Sequence, residues 1–265
     1  MKFFLQQGIL AGSKPPAEDE GGGGGFDPTS LSGLMYWFKA DSLSLTDGDA
    51  VDTWSNEGND SRGDVANTST ARPIYKTGII NGEPVVRFDG VNDRLVTASA
   101  EAKPSSVTVY AVFNTDDVSS AAGLLMGQSA SNALRGWGIG VPDFFGSQTL
   151  VEGRSYSSSG TVRIITANST TISNSTFYCL AATYSNGDTQ FNMKLNGADQ
   201  TEGTTSTNYN AIEGTAYRFA VGNQGEYSGG FFFDGDLAEV LVYDSVLTGS
   251  DLTDVEDYLL GKYGL

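Results

Sequence analysis

Phe231-Phe-Phe-Asp-Gly-Asp-Leu-Ala-Glu-Val-Leu-Val-Tyr-Asp244, then Leu247-Thr-Gly-Ser-Asp-Leu-Thr-Asp-Val-Glu-Asp-Tyr-Leu-Leu-Gly-Lys-Tyr-Gly-Leu265, reads as a β-strand, a capped amphipathic helix and a stop. From Leu237 the sidedness alternates, with Leu237, either Val240 or Leu241, and Val242 available to a core, and Asp244 ends the run. A cap at Thr248 or Ser250 opens the helix. Asp251 and Asp254 fall in its first turn, where carboxylates meet the positive end of the helix dipole. Leu252, Val255, Leu259 and Tyr263 recur at helical spacing along one face, and Gly264 stands where a left-handed residue ends a helix.

Outward from that ending, glycine supplies 34 of the 265 residues, and short apolar runs alternate with turn signals rich in Ser, Thr, Asn and Asp. This pattern predicts an all-β sandwich or barrel rather than a helical protein. One domain accounts for the length and buries a sufficient core without disulfides. The single cysteine, Cys179, lies in an apolar strand pattern and reads as a small core residue rather than a nucleophile. Lys and Arg number 15 against 32 Asp and Glu, a net charge of −17. That charge repels nucleic acid and anionic lipid. No apolar run reaches the ~18 residues expected of a membrane span.

Further patterns extend the reading upstream: Gly33-Leu-Met-Tyr-Trp-Phe-Lys-Ala-Asp41, Val51-Asp-Thr-Trp-Ser-Asn56, Arg72-Pro-Ile-Tyr75 and Asn81-Gly-Glu-Pro-Val-Val-Arg-Phe-Asp-Gly-Val-Asn-Asp-Arg-Leu95. Val107-Thr-Val-Tyr-Ala-Val-Phe113 is an alternating strand. Gly136-Trp-Gly-Ile-Gly140, Thr176-Phe-Tyr-Cys-Leu-Ala-Ala-Thr-Tyr184 and Phe191-Asn-Met-Lys-Leu-Asn-Gly197 supply the remaining pieces. In this order and with this ending, residues 31–265 resemble the laminin-G-like domains of the concanavalin A-like lectin/glucanase superfamily. The resemblance implies a two-sheet antiparallel jelly-roll sandwich with a short C-terminal helix. It also places Trp37 and Trp54 in the core, and Trp137, between Gly136 and Gly138, is expected to pack inward as well.

Met1-Lys-Phe-Phe-Leu-Gln-Gln-Gly-Ile-Leu-Ala-Gly12 makes a poor secretory leader, because two glutamines interrupt its apolar stretch and Lys2 alone supplies positive charge. Lys14-Pro-Pro-Ala-Glu-Asp-Glu20 and five glycines after it read as a stiff-then-flexible tether. The expected layout is an apolar anchor over 1–13, a linker over 14–30 and the sandwich over 31–265. Phe3, Phe4, Leu5, Ile9 and Leu10 cannot bury themselves against a domain beyond that tether, so they are expected to dock on another protein. The layout resembles small structural proteins of tailed phages. That resemblance implies a virion location, phage structural proteins as partners and decoration or attachment as the role. Self-association is a further expectation, and a secreted bacterial adhesin is the alternative location.

For chemistry, the absence of histidine excludes Ser-His-Asp, Cys-His and His-ligated metal sites. The superfamily's glucanases imply a carboxylate pair as the enzymatic alternative. The nearest candidates, Glu239 and Asp244, are five residues apart and fall on opposite strand faces. Glu239 reads as a structural acid paired with an arginine, so a non-enzyme is expected. Glycan binding fits polar loops better: Asp47, Asp49, Asp89, Asn92, Asp93, Glu226 and Tyr227 form the expected ligand rim, with Tyr156, Tyr209 and Tyr227 as ring platforms. Asp47 with Asp49, or Asp89 with Asp93, supply hard oxygens for calcium, the one candidate cofactor. The same Asp-Gly and Asn-Gly steps also form turns and satisfy their own loop backbone.

Overall fold

The computed structural model describes residues 25–118, 123–128, 136–141, 151–156, 162–167, 170–185, 188, 190–200, 202–204, 216–223 and 230–265. In chain order the strands are β1 (Leu34–Lys39), β2 (Thr53–Trp54), β3 (Val65–Ala66), β4 (Ile74–Ile80), β5 (Glu83–Asp89) and β6 (Leu95–Thr97). Then come β7 (Ser106–Thr115), β8 (Gly123–Gln128), β9 (Trp137–Val141), β10 (Glu152–Tyr156), β11 (Val162–Ala167) and β12 (Tyr178–Ser185). The last are β13 (Asn192–Leu195), β14 (Ala198–Asp199), β15 (Glu202–Thr204), β16 (Phe219–Val221) and β17 (Asp234–Tyr243), followed by helix α1 (Ser250–Tyr263).

These strands form two antiparallel sheets, as the jelly-roll reading expects. The first has the order β14-β13-β12-β7-β17-β5-β4, with β1 also on β17; the second runs β15-β11-β10-β9-β8-β16-β6-β3-β2. Strand β17 is the hub of the first sheet. One edge pairs with β7 along nearly its whole length; the other pairs first with β5, through Asp234–Leu237, and then with β1, through Glu239–Tyr243.

The inner faces of both sheets enclose one core. Val107, Val109, Ala111 and Phe113 of β7 and Leu237, Val240 and Val242 of β17 meet Trp137, Ile139, Phe219 and Val221 from the second sheet. The Tyr36 and Phe219 rings stack across the layer with centroids 4.2 Å apart. A second core lies on the other side of the first sheet, where Tyr110, Val112, Leu241 and Tyr243 pack beneath Val255, Leu259 and Tyr263 of α1. Each such side chain removed from water contributes about 1.5–3 kcal/mol. Cover on both sides explains why β7 and β17 are buried along their length after the first residue rather than alternating in exposure.

Val240 or Leu241 were equal candidates for the core, and a bulge decides between them. The β17–β7 register slips between Leu237 and Glu239, so Ala238 and Glu239 both face the helix side. Val240 then enters the inter-sheet core and Leu241 the helix-side core.

The helix corrects two expectations. Its cap is neither Thr248 nor Ser250 but Gly249, at φ 58°, with no side chain capping the first turn. Because the helix starts at Ser250, Asp251 alone occupies the first turn and Asp254 lies beyond it. Gly264 ends the helix in the left-handed conformation, φ 67°, as expected. At the other end of the domain, packing begins within the stretch expected to be linker. Phe26 contacts the helix-side core, Pro28 is buried, and Tyr243 donates its hydroxyl to the Pro28 carbonyl at 3.2 Å. Among the described residues no helix is long and apolar enough to cross a membrane.

Candidate functional site

The four aspartates of the expected rim are engaged in hydrogen bonds within the protein. Asp89 Oδ1 accepts hydrogen bonds from the backbone N–H groups of Val91, Asn92 and Asp93, at 2.9, 3.1 and 3.3 Å. Asp93 Oδ2 accepts from the Asp89 N–H at 3.1 Å. Burial, and then the neighbouring Asp89 charge, push the Asp93 carboxyl up to about 6. The Asn92 side chain is exposed. In the other loop, Asp49 Oδ2 accepts from the Thr46 N–H at 2.8 Å and from its hydroxyl. Asp47 pairs with Lys76 and accepts from the Thr77 N–H at 3.0 Å. The turn-forming side of the reading therefore accounts for Asp49, Asp89 and Asp93, whereas Asp47 ties its loop to β4. Among the described residues no three acidic, Cys or His side chains are grouped so as to hold a metal ion.

Glu226 and Tyr227 lie outside the described residues, as do Tyr209 and the anchor residues Phe3, Phe4, Leu5, Ile9 and Leu10. The Tyr156 side chain also lies outside them.

Glu239 is a structural acid, but its partner is not an arginine. Its fully buried carboxylate receives Trp37 Nε1, Tyr258 hydroxyl at 3.0 Å, Tyr263 hydroxyl at 2.8 Å and Lys262 Nζ at 2.8 Å. Lys262 also reaches Asp41 at 3.0 Å. Burial disfavours the Lys262 cation, yet the Glu239 and Asp41 charges outweigh it and raise its pKa. Burial and then Glu239 push the Tyr263 phenol up, keeping it a neutral donor. Asp244 lies past the end of β17 and is exposed. Trp37 is thus a helix-side donor, whereas Trp54 and Trp137 occupy the inter-sheet core as expected. Cys179 is fully buried, and burial pushes its thiol up.

An opening lined by polar groups lies elsewhere, on the outer face of the second sheet. Strand alternation builds it: Trp54, Val65, Leu95 and Phe219 point into the core, so Thr53, Ala66, Val96 and Arg218 point out. Together with Arg94 they line a groove of about 770 Å³. Its rim is stiff. Asn67 Nδ2 donates to the Ala71 and Arg94 carbonyls at 2.6 and 3.0 Å, and Asn67 Oδ1 accepts from Ser69 N–H and Oγ at 2.9 and 2.7 Å. Ser69 Oγ in turn accepts from the Ala71 N–H at 3.1 Å. These residues were not singled out in the sequence. The local signal is an arginine beside a short apolar strand, in Arg94-Leu-Val-Thr97 and Arg218-Phe-Ala-Val221, but the pairing of β6 with β16 that brings the two together has no local signature.

Two antiparallel sheets packed face to face with a covering C-terminal helix define a jelly-roll β-sandwich. Residues 89–253 match the concanavalin A-like lectin/glucanases superfamily, in its laminin-G form. The chain belongs to this family. Among solved structures it resembles Trypanosoma rangeli sialidase in complex with 2,3-difluoro-KDN, at 14% identity and TM-score 0.53, over 93% of this chain and 35% of that one. A second complex of the same enzyme, with sialic acid, matches at 12% identity and TM-score 0.51, over 88% of this chain and 34% of that one. The chain therefore spans about a third of the length of these sialidases, and identities this low speak for the fold alone. A search of the curated proteins finds no match.

Proposed function

We propose that this chain is a non-catalytic, lectin-like virion protein of a phage. In this reading the sandwich binds glycans in the groove over β2, β3 and β6, while Phe3, Phe4, Leu5, Ile9 and Leu10 dock the chain on a phage structural protein. The observation that carries the binding role is the groove: an open, rigidly framed surface of hydroxyl, amide and guanidinium groups, the donors and acceptors that sugar hydroxyls need. The carboxylates at the centre of the first sheet favour a non-enzyme. Glu239 is enclosed by four donors, and Asp236 is held by Arg87 at 2.7 and 2.8 Å, so neither faces a bond to be cleaved. The N-terminal sequence supports the docking role through its apolar content and tether. Many weak sites on one particle bind together through effective concentration.

Immobilised full-length protein tested on a glycan array is expected to give hits that disappear when the groove is altered at Thr53, Asn67 and Arg218. Incubation with a polysaccharide panel is expected to release no reducing ends. Particle proteomics should find the chain on virions, and deletion of residues 1–20 should leave a folded domain that no longer co-purifies with them. Recovery from culture supernatant alone would replace the virion reading with the secreted adhesin. A melting temperature lowered by chelator would add calcium to the site.

A further inference from the structure

We propose that the protein carries a second, smaller binding site at the margin of the first sheet, where the cover of α1 ends, and that this site takes a single neutral sugar ring. It lies on the opposite sheet from the groove over β2, β3 and β6 and does not rest on that reading. Strand alternation builds its floor. Leu180, Ala182 and Tyr184 of β12 point into the inter-sheet core, so Ala181 and Thr183 face outward. On β13, Met193 and Leu195 point inward, which turns Asn192 and Lys194 to the same outer face. Leu252 of α1 closes one side, and the pocket has a volume of about 190 Å³.

Its polar groups say what it holds. Thr183 is only 7% exposed, yet its hydroxyl has no hydrogen-bond partner among the described residues. A buried hydroxyl outside a hydrogen bond is costly, so one that lines an open pocket calls for a polar occupant. Asn192 stands directly across from Thr183 in the β12–β13 register, and its side-chain amide has no partner there either. Side chains paired in this way start about 5 Å apart. A hydroxyl beside an amide that both donates and accepts matches two adjacent hydroxyls on one ring.

Size and charge narrow the occupant further. A void of ~150 Å³ takes up benzene, so this pocket holds one six-membered ring with its substituents and not a second. Ala181 belongs to the helix-side core and Leu252 packs against that core, which gives the ring's apolar face its contact. The charges on the walls are already paired. Lys194 Nζ lies 3.3 Å from Glu256 and 3.8 Å from Asp199, and the net charge of −17 turns away anions. The Gly197 N–H donates to Glu256 Oε1 at 3.1 Å. With the Lys194 pairing it fastens α1 to β13 and the turn after it, so the pocket is formed before a ligand arrives.

One ring held by two polar groups binds at about millimolar affinity, too weakly to be retained on a glycan array. The test is therefore NMR titration of isotope-labelled full-length protein with methyl α-glucoside, methyl α-mannoside and methyl α-galactoside. Cyclohexanol, a ring with a single hydroxyl, is the control. At least one glycoside is expected to shift the amide signals of Thr183, Asn192 and Leu252 saturably, and to bind about tenfold or more tighter than cyclohexanol. Thr183→Val and Asn192→Ala should each weaken it about tenfold, whereas Thr183→Ser and the groove variant at Thr53, Asn67 and Arg218 should leave it unchanged. No shift with any glycoside, equal binding of cyclohexanol, or undiminished binding by a folded Thr183→Val protein overturns the site. Each of those outcomes leaves the groove reading standing on its array, and a blank array beside intact binding here removes the groove alone. The titrations of unaltered protein decide even if a variant fails to fold.

Discussion

The two outer faces of the sandwich have opposite fates. On the first sheet, α1 lies over the centre, and the polar groups beneath it form a closed set: Glu239 takes four donors and Lys262 spans two acids. On the second sheet, the positions around β6 carry side chains that reach solvent, among them Thr53, Thr68 and Arg218. Charge in the covered face is structural because each buried group has its counterpart; a missing partner there costs the full desolvation penalty. Polar groups on the open face reach water, so changing one of them carries a smaller penalty than stranding a buried partner. Conspicuous acids in this fold can therefore be structural, as Glu239 is.

The sharpest way to break the contrast is Glu239→Ala. It strands Lys262, Trp37 Nε1 and two phenols under the helix, and is expected to cost about 3–5 kcal/mol in urea unfolding. A loss under ~1 kcal/mol would mean that the covered face is not the sealed unit described. Next is Asp93→Asn. The Asp93 carboxyl titrates near 6 in the fold against an ordinary 3.8, so its contribution to stability is fully present below 3.8 and is lost as pH rises through 6. The asparagine variant should be more stable than the parent at pH 7.5 by about 1–3 kcal/mol, with the difference gone near pH 3.8. Thermal melts across that range read it directly, and destabilisation at pH 7.5 would point to a ligand or cation on Asp93.

Asn81→Asp is expected to cost about 1 kcal/mol. Asn81 Nδ2 donates to the Lys262 carbonyl at 2.9 Å at the end of α1, and a carboxylate there loses the bond and opposes the helix dipole. Chemical denaturation should show the change, and raised salt should reduce it. Thr68→Ala, on the open groove, should shift stability by less than ~0.5 kcal/mol. A larger loss would mean that the groove is also part of the scaffold.

Much of the fold was legible because its signals are local. The Gly264 stop, the helical spacing of Val255, Leu259 and Tyr263, and the strand patterns around Val107 and Leu237 depend on residues near in sequence. What was not legible depends on distant partners. Whether Val240 or Leu241 faces the inter-sheet core follows from a bulge against β7. The helix cap follows from the left-handed turn at Gly249, which displaces the polar candidates on either side. Glu239 could be read as a buried acid in want of a cation, but Lys262 becomes its neighbour only once α1 folds back over β17. For Asp89 and Asp93 the turn chemistry was legible and is what the loop uses. The groove was missed because its residues come from β2, β3, β6 and the start of β16, and are ordinary in each.

That β17 joins β1, β5 and β7 has a consequence for how the protein is made. These three strands are translated long before residues 234–243, and until that stretch leaves the ribosome each has an unpaired edge where β17 belongs. Nascent chains must hold those edges apart from one another, and products cut short before Asp234 are left with templates for intermolecular pairing. Synthesis of this domain is therefore most exposed to aggregation in its last stage, and a chaperone that shields bare strand edges would raise its yield more than one that assists helix formation.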